Sequence, residues 1–92
     1  LKIIHSKKDE ISITPFEEIH LDALEITVSK NSKYIHKKYT IEDIPESMCL
    51  GAIIREQDII IPSYQKTNIL SNDKLLIFLN QECISKAESL FN

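Results

Sequence analysis

Glycine is nearly absent from this chain, with Gly51 the single example among 92 residues. Loops that cradle phosphate need several glycines, so the sequence excludes a P-loop and a glycine-rich dinucleotide loop. Two cysteines occur without a Cys-x-x-Cys pair, and the three histidines lack the spacing of metal ligands. No serine lies in a nucleophile-elbow motif, and no histidine is placed to activate a nucleophile. We therefore predict no metal site and no catalytic residues, and we expect that the protein is not an enzyme.

Long apolar runs and an excess of positive charge are also missing. No stretch of about 18 apolar residues occurs, so the sequence predicts no membrane span. The net charge of −3 argues against a nucleic-acid partner, which would need a broad basic face. For Cys49 and Cys83 we expect two buried, reduced thiols rather than a disulfide, and the disulfide stays the alternative. Because the chain begins at Leu1, we expect it to be a piece of a longer protein.

Three apolar segments in the second half of the chain predict strands. They cover residues 49–55, 59–61 and 74–79, are rich in β-branched residues, and are separated by polar turns. The short turn before Ile59 indicates an antiparallel hairpin, and Pro62 would end its second strand. Residues 71–73 form the next turn. Residues 23–29 alternate between apolar and polar side chains, which predicts a half-buried strand.

Helical signals surround these strands. Thr40 can cap a short helical turn over residues 40–44, and Pro45 would end it. A last helix is predicted after Asn80, with an apolar stripe of four residues: Ile84, Ala87, Leu90 and Phe91. The predicted fold class is α+β, with a small, mostly antiparallel sheet in the order β-α-β-β-β-α over residues 23–92. Residues 1–22, with a short strand pattern near Ile11, are interpreted as a linker or the tail of a preceding domain.

Charged residues leave alternatives open at three places. The basic residues 30–39 indicate either an anion or nucleotide site, with Tyr34 or Tyr39 as a stacking face, or a solvated loop, which we favour. Arg55 ends an apolar strand, where a charge needs an ion pair, an exposed hairpin tip or a ligand. Asp73 could be a catalytic carboxylate, but we favour a turn residue that binds backbone amides.

The segment from Arg55 to Leu75 resembles the TrkA C-terminal family, also called RCK_C. Arg55 is followed by a turn and by Ile-Ile-Ile-Pro at 59–62, as in the family's hairpin. Its later motif, T-x-x-L-x-x-G-D-x-L, is matched by four residues here: Thr67, Leu70, Asp73 and Leu75. Asn72 stands where the family has glycine. Residues 23–28 look like its opening strand and 39–45 like its first helix, so the resemblance covers residues 23–91.

Members of this family are cytosolic regulatory modules of potassium channels, potassium uptake systems and other transporters. They form dimers and usually follow a nucleotide-binding domain. The resemblance therefore implies a ligand-sensing, homodimeric regulatory domain of a potassium transport system, located in the cytoplasm at the inner face of the membrane. Its partners would be a membrane-embedded transporter or channel subunit and a preceding nucleotide-binding domain. The alternative is a purely structural dimerisation module without a ligand of its own.

Some relatives bind cyclic di-AMP in a cleft between two such domains, using the first core strand and the hairpin. Carried over by position, the resemblance implies five ligand-binding residues: Leu50, Arg55, Ile59, Ile60 and Pro62. The basic stretch adds His36 and Lys37 as candidates. The resemblance does not fix one ligand, so we expect cyclic di-AMP, another nucleotide, or no ligand.

Overall fold

A mixed β-sheet with helices on one face is the frame of this protein. The structure is a computed structural model that describes the backbone of residues 2–7 and 10–15 and all atoms of residues 21–63 and 65–92. The strands are β1 (Lys2–Lys7), β2 (Glu10–Pro15), β3 (Asp22–Thr27), β4 (Met48–Arg55), β5 (Asp58–Ile60) and β6 (Lys74–Leu79). The helices are α1 (Lys33–His36) and α2 (Ile84–Phe91), and 3₁₀ turns lie at Ile41–Asp43 and Gln81–Cys83.

The six strands lie in the order β2-β1-β3-β6-β4-β5. Every neighbouring pair is antiparallel except β1 and β3, which run parallel. From β3 onward the elements follow the order β-α-β-β-β-α, which confirms the predicted α+β class and the mostly antiparallel sheet. The predicted turns are confirmed as well: β5 stops at Ile60, ahead of Pro62, and Asn72 has φ 71° between the loop and β6.

The first 15 residues contribute two strands to the same sheet. β2 confirms the short strand pattern near Ile11, and β1 pairs with both β2 and β3. The apolar run at Ile3 was not predicted to be a strand, because two apolar residues in a row carry no period-two signal. The proposed division of the chain into residues 1–22 and 23–92 stays a prediction.

The core lies between one face of the sheet and the helices. It contains alternate residues of β3 and β6 together with the stripe of α2, which confirms the pattern-based interpretation of all three elements. The largest fully buried side chains include Leu24, Ile26, Leu75, Ile77, Tyr34 and Phe91. The C-terminal end of α2 is tied to the end of β3, because the Ser29 amide donates to the Phe91 carbonyl at 2.8 Å.

Gly51 lies at an irregularity in β4. Leu50 is paired with Ile77 and Ala52 with Leu76, so Gly51 is the extra residue of a β-bulge. The bulge changes which side chains face the helices: Leu50 before it and Ile53 after it both contact the core. A Cβ atom at Gly51 would lie 2.6 Å from Cε2 of Phe78, so glycine leaves room for that ring.

The basic stretch differs from its prediction. Residues 30–39 contain the one-turn helix α1, and Ser32 and Tyr34 are buried although the stretch was interpreted as a solvated loop. Tyr34 packs against Phe91 with ring centroids 5.5 Å apart, so of the two tyrosines in the alternative interpretation Tyr34 is not free to stack on a ligand. The predicted helical turn at 40–44 is present as the 3₁₀ turn Ile41–Asp43. Thr40 is its N-cap residue, as predicted, and the Thr40 amide donates to the Asp43 carboxylate at 2.7 Å.

The two cysteines are free thiols, as expected, but the prediction that both are buried is wrong. Cys49 is exposed because it lies opposite Phe78 on the sheet face away from the core. Cys83 is half-buried at the start of α2. Among the described residues, no helix has the length and apolar character needed to cross a lipid bilayer.

Candidate functional site

An ion pair joins the end of the β4–β5 hairpin to the turn before β6. Arg55 donates through Nε to Oδ1 of Asp73 at 2.9 Å and through Nη2 to Oδ2 at 2.8 Å. Asp73 is 2 % exposed and Arg55 is 31 % exposed, so the carboxylate is the buried partner. The Asp73 carboxylate, mainly through its hydrogen bonds, holds the pKa of Arg55 above its ordinary value. The ion-pair interpretation of Arg55 is confirmed.

Asp73 also organises the turn in which it lies. Its Oδ2 accepts the backbone N–H of Leu70 at 2.8 Å, as predicted for a turn aspartate. Its own carbonyl accepts the Val28 amide at 2.8 Å. The turn is thereby fixed to β3 on one side and to Arg55 on the other. A carboxylate that accepts this many hydrogen bonds is a structural anchor.

Asn68 connects this anchor to the helical side of the protein. Its carbonyl accepts from Nη2 of Arg55 at 2.8 Å, and its Oδ1 accepts the hydroxyl of Tyr34 at 2.6 Å. Its Nδ2 donates to the Tyr39 carbonyl at 3.5 Å, a longer contact. Burial raises the pKa of the Tyr34 hydroxyl to about 12, so that hydroxyl is a donor at neutral pH. Sequence reasoning missed Asn68, because an asparagine in a polar loop carries no signal for these distant partners.

A cleft of about 390 Å³ opens beside Asn68, between the 3₁₀ turn Ile41–Asp43 and the segment after β5. Thr40, Ile41 and Glu42 line one side, and the lining of the other side comes from four residues: Pro62, Lys66, Thr67 and Asn68. Lys66 is exposed and makes no ion pair with any residue in the described ranges. The cleft therefore offers a ligand the ammonium group of Lys66, the carboxylate of Glu42, hydroxyl and amide groups, and two apolar surfaces.

The structure brings some of the sequence-predicted residues to this region. Pro62 lines the cleft, and Arg55 lies behind it through its bond to the Asn68 carbonyl. Most of the N–H groups of Arg55 are used, since Nε and Nη2 bind Asp73 and Asn68. The two N–H groups of Nη1 make no hydrogen bond to the described residues. Arg55 thus has limited capacity left for a ligand.

The other predicted residues lie elsewhere. Ile60 is a buried core residue and Leu50 packs against the core. Ile59 is 69 % exposed and is paired with Ile54 on the opposite face of the sheet. His36 and Lys37 are exposed at the end of α1 and do not line the cleft. Within one chain, these seven residues do not form one pocket, so their joint role in ligand binding stays a prediction.

Comparison with known proteins supplies no family for this chain. No protein-family model matches it, and no curated protein is significantly similar to it in sequence.

Proposed function

We propose that this chain is a ligand-sensing, dimerising regulatory domain of a potassium transport system. The proposal rests on the resemblance of its hairpin and turn motifs to the TrkA C-terminal family. The observation that carries it is the position of Asn68, which lines the cleft with Pro62 and accepts a hydrogen bond from Arg55. Arg55 and Pro62, which the resemblance implies in ligand binding, therefore both lie beside the segment around Asn68. A ligand that contacts this segment would act on the Arg55–Asp73 anchor.

The proposed ligand is a nucleotide such as cyclic di-AMP. Lys66 supplies positive charge for a phosphate, and Ile41 and Pro62 supply apolar surface for a base. The proposed partners are a second copy of the chain, a preceding nucleotide-binding domain and a membrane-embedded transporter or channel subunit. This role would place the domain in the cytoplasm, at the inner face of the membrane. The ligand would regulate transport only if it binds two arrangements of the dimer with different affinities.

Thermal unfolding in the presence of nucleotides, cyclic dinucleotides and potassium tests the sensing role. A ligand at a hundred times its Kd stabilises the folded state by about 2.7 kcal/mol, which raises Tm by roughly 10–20 °C in a domain of this size. Calorimetry on Lys66→Ala should then show binding weakened by about threefold to tenfold. Lys30→Ala is the matched control, because Lys30 is also exposed but lies outside the cleft. Equal affinities for the two variants would show that the ligand does not bind in this cleft.

A second candidate is a structural dimerisation module without a ligand. It is favoured by the sheet face away from the helices, which we call the open face. It carries Cys49, Ile54, Ile59, Leu76 and Phe78. Ile59 is largely exposed there, and the other four are exposed or only partly buried. A dimer in sedimentation, together with no thermal shift from any ligand, would support this role over sensing.

A further inference from the structure

A second cleft lies between α2 and the segment that leads from α1 to Pro45. Its volume is about 340 Å³. It is separate from the Asn68 cleft, because the two share no lining residue. The sequence did not indicate this cleft, because the last helix was predicted only from its apolar stripe. We call it the α2 cleft.

Two lysines far apart in sequence meet at the α2 cleft. Lys33 begins α1 and Lys86 lies in the first half of α2. Both are exposed, and neither forms an ion pair with a residue in the described ranges. Glu82, four residues before Lys86, lies in the 3₁₀ turn before α2, where the i,i+4 spacing of an α-helix does not hold. The two ammonium groups are therefore available to an anion.

The wall of the α2 cleft is apolar. Tyr39 and Pro45 are half-buried and Leu90 is buried, and all three line the cleft. The Tyr39 ring is held edge-on to Tyr34, with centroids 6.2 Å apart and an interplanar angle of 75°. A fixed aromatic ring beside a proline and a leucine gives a ligand an ordered apolar surface at low entropic cost.

One carboxylate and one hydroxyl complete the lining. Ser89, exposed on α2, offers a hydroxyl that can donate to an anion. Asp43 opposes anion binding, but its Oδ2 already accepts the Thr40 amide at 2.7 Å and the Thr40 hydroxyl at 3.3 Å. The lining thus carries two ammonium groups against one carboxylate, and that carboxylate is engaged in a cap.

We propose that the α2 cleft binds a small organic anion, with a phosphate or carboxylate group attached to an apolar ring. Lys33 and Lys86 would hold the anionic group from two elements, and the ring would rest on Tyr39, Pro45 and Leu90. Charge alone would attract inorganic phosphate, whereas the apolar wall would favour the ring-bearing ligand. The proposed site is distinct from the ligand site proposed above, because the two clefts share no lining residue.

Amide NMR of the whole chain, titrated with phenyl phosphate, inorganic phosphate and phenol, tests the proposal. We expect saturable shifts at residues 39–44 and 86–90 with phenyl phosphate, and weaker binding of inorganic phosphate. Phenol, which is uncharged at neutral pH, should give the weakest response. Raising the salt concentration should weaken phenyl phosphate binding, because the lysines are exposed.

Variants locate the site. Lys33→Ala and Lys86→Ala should each weaken phenyl phosphate binding by about tenfold, and Lys86→Arg should retain most of it. Lys30→Ala is the matched control and should bind like the parent chain. All these side chains are exposed, so the variants should fold.

Equal affinities for Lys30→Ala and Lys86→Ala, or phenol binding as tight as that of phenyl phosphate, would overturn the proposal. Lys66→Ala should leave phenyl phosphate binding unchanged, which separates this site from the Asn68 cleft.

Discussion

The ion pair between Arg55 and Asp73 is the more buried of the two ion pairs among the described residues. Its carboxylate is nearly inaccessible to water and accepts three hydrogen bonds from Arg55 and Leu70. Such a pair adds modest net stability, but removal of one partner leaves a buried charge without compensation. Arg55 is thus both a residue that the resemblance implies in ligand binding and a residue that stabilises the turn before β6.

Arg55→Ala should lower the free energy of unfolding by about 2–4 kcal/mol, because it leaves Asp73 buried and unpaired. Arg55→Lys should lie between the parent and the alanine variant, since lysine keeps the charge without the two-pronged geometry. Urea denaturation measures all three. Lys74→Ala is the comparison: its ion pair with Glu25 spans 3.2 Å at the surface, and its loss should cost less than about 1 kcal/mol. An Arg55→Ala cost as small as that of Lys74→Ala would contradict this account.

Tyr34 is the residue whose titration reports on burial. Its pKa is raised to about 12, mainly because burial disfavours the phenolate. The folded state therefore holds this proton up to a higher pH than the unfolded state, whose pKa is near 10. The contribution to stability is complete below about pH 10 and falls as the pH rises towards 12. Over that range the free energy of unfolding should fall by on the order of 2 kcal/mol.

Absorbance at 295 nm, compared between the parent and Tyr34→Phe, isolates this titration. The difference curve should show a midpoint near pH 12 while the protein stays folded. Denaturation across the same range should show the stability gap between parent and variant shrinking above about pH 10. A difference curve with its midpoint near 10 would mean that the Tyr34 hydroxyl is accessible to water in solution.

At the scale of elements, β4 shows how one residue sets the orientation of a strand. Its sequence is apolar on both sides, so alternation does not reveal which residues face the helices. The bulge at Gly51 resolves this, because it shifts the side-chain alternation by one residue between Leu50 and Ala52. The strand was predicted from its apolar run. Which of its side chains face the helices could not be predicted, because a bulge depends on the partner strand.

Gly51→Ala should destabilise the protein by about 1–3 kcal/mol, because the new Cβ would lie 2.6 Å from the Phe78 ring. The ring is only partly buried and can move, which keeps the cost moderate. Phe78→Leu combined with Gly51→Ala should cost less than the sum of the two single variants. Urea denaturation of the four proteins gives the coupling energy. Strictly additive costs would show that the two residues do not meet.

The short helices were harder to predict than the strands. α1 has four residues, a length at which helical periodicity is not measurable. It exists because Ser32 accepts the Ile35 amide and because Tyr34 is buried against Phe91, which lies far outside residues 30–39. The stripe of α2 spans eight residues and was predicted correctly, since its spacing is a property of that segment alone.

At the scale of the whole molecule, the sheet buries one face under helices and leaves the open face with only partial cover. A partly exposed apolar surface of this kind is typical of a contact with another chain. The short edge strand β5 carries Ile59 at the margin of that surface. The proposed homodimer would use this face, with the same residues contributed by both copies.

Ile59→Glu should weaken the proposed dimer by at least about tenfold, because it places a charge within the apolar contact. Sedimentation velocity over a concentration series measures the change. Leu70→Glu is the control, since Leu70 is 52 % exposed but lies in the turn before β6. Ile59 is exposed in the single chain, so its substitution should leave thermal stability of the monomer nearly unchanged. A parent chain that sediments as a monomer, or a variant that dimerises as tightly, would refute the use of this face.

The sequence by itself determined the strands at Asp22–Thr27, Met48–Arg55 and Lys74–Leu79, the buried stripe of α2 and hence the α+β class. These features follow from alternation and spacing, which are local properties of the chain. Only the tertiary structure decided that Arg55 pairs with Asp73, that Tyr34 is buried, and that Asn68 joins them. It also decided that Lys33 and Lys86 line one cleft. Each of these contacts joins residues distant in sequence, so the path of the chain through the sheet, and not local pattern, sets the partners.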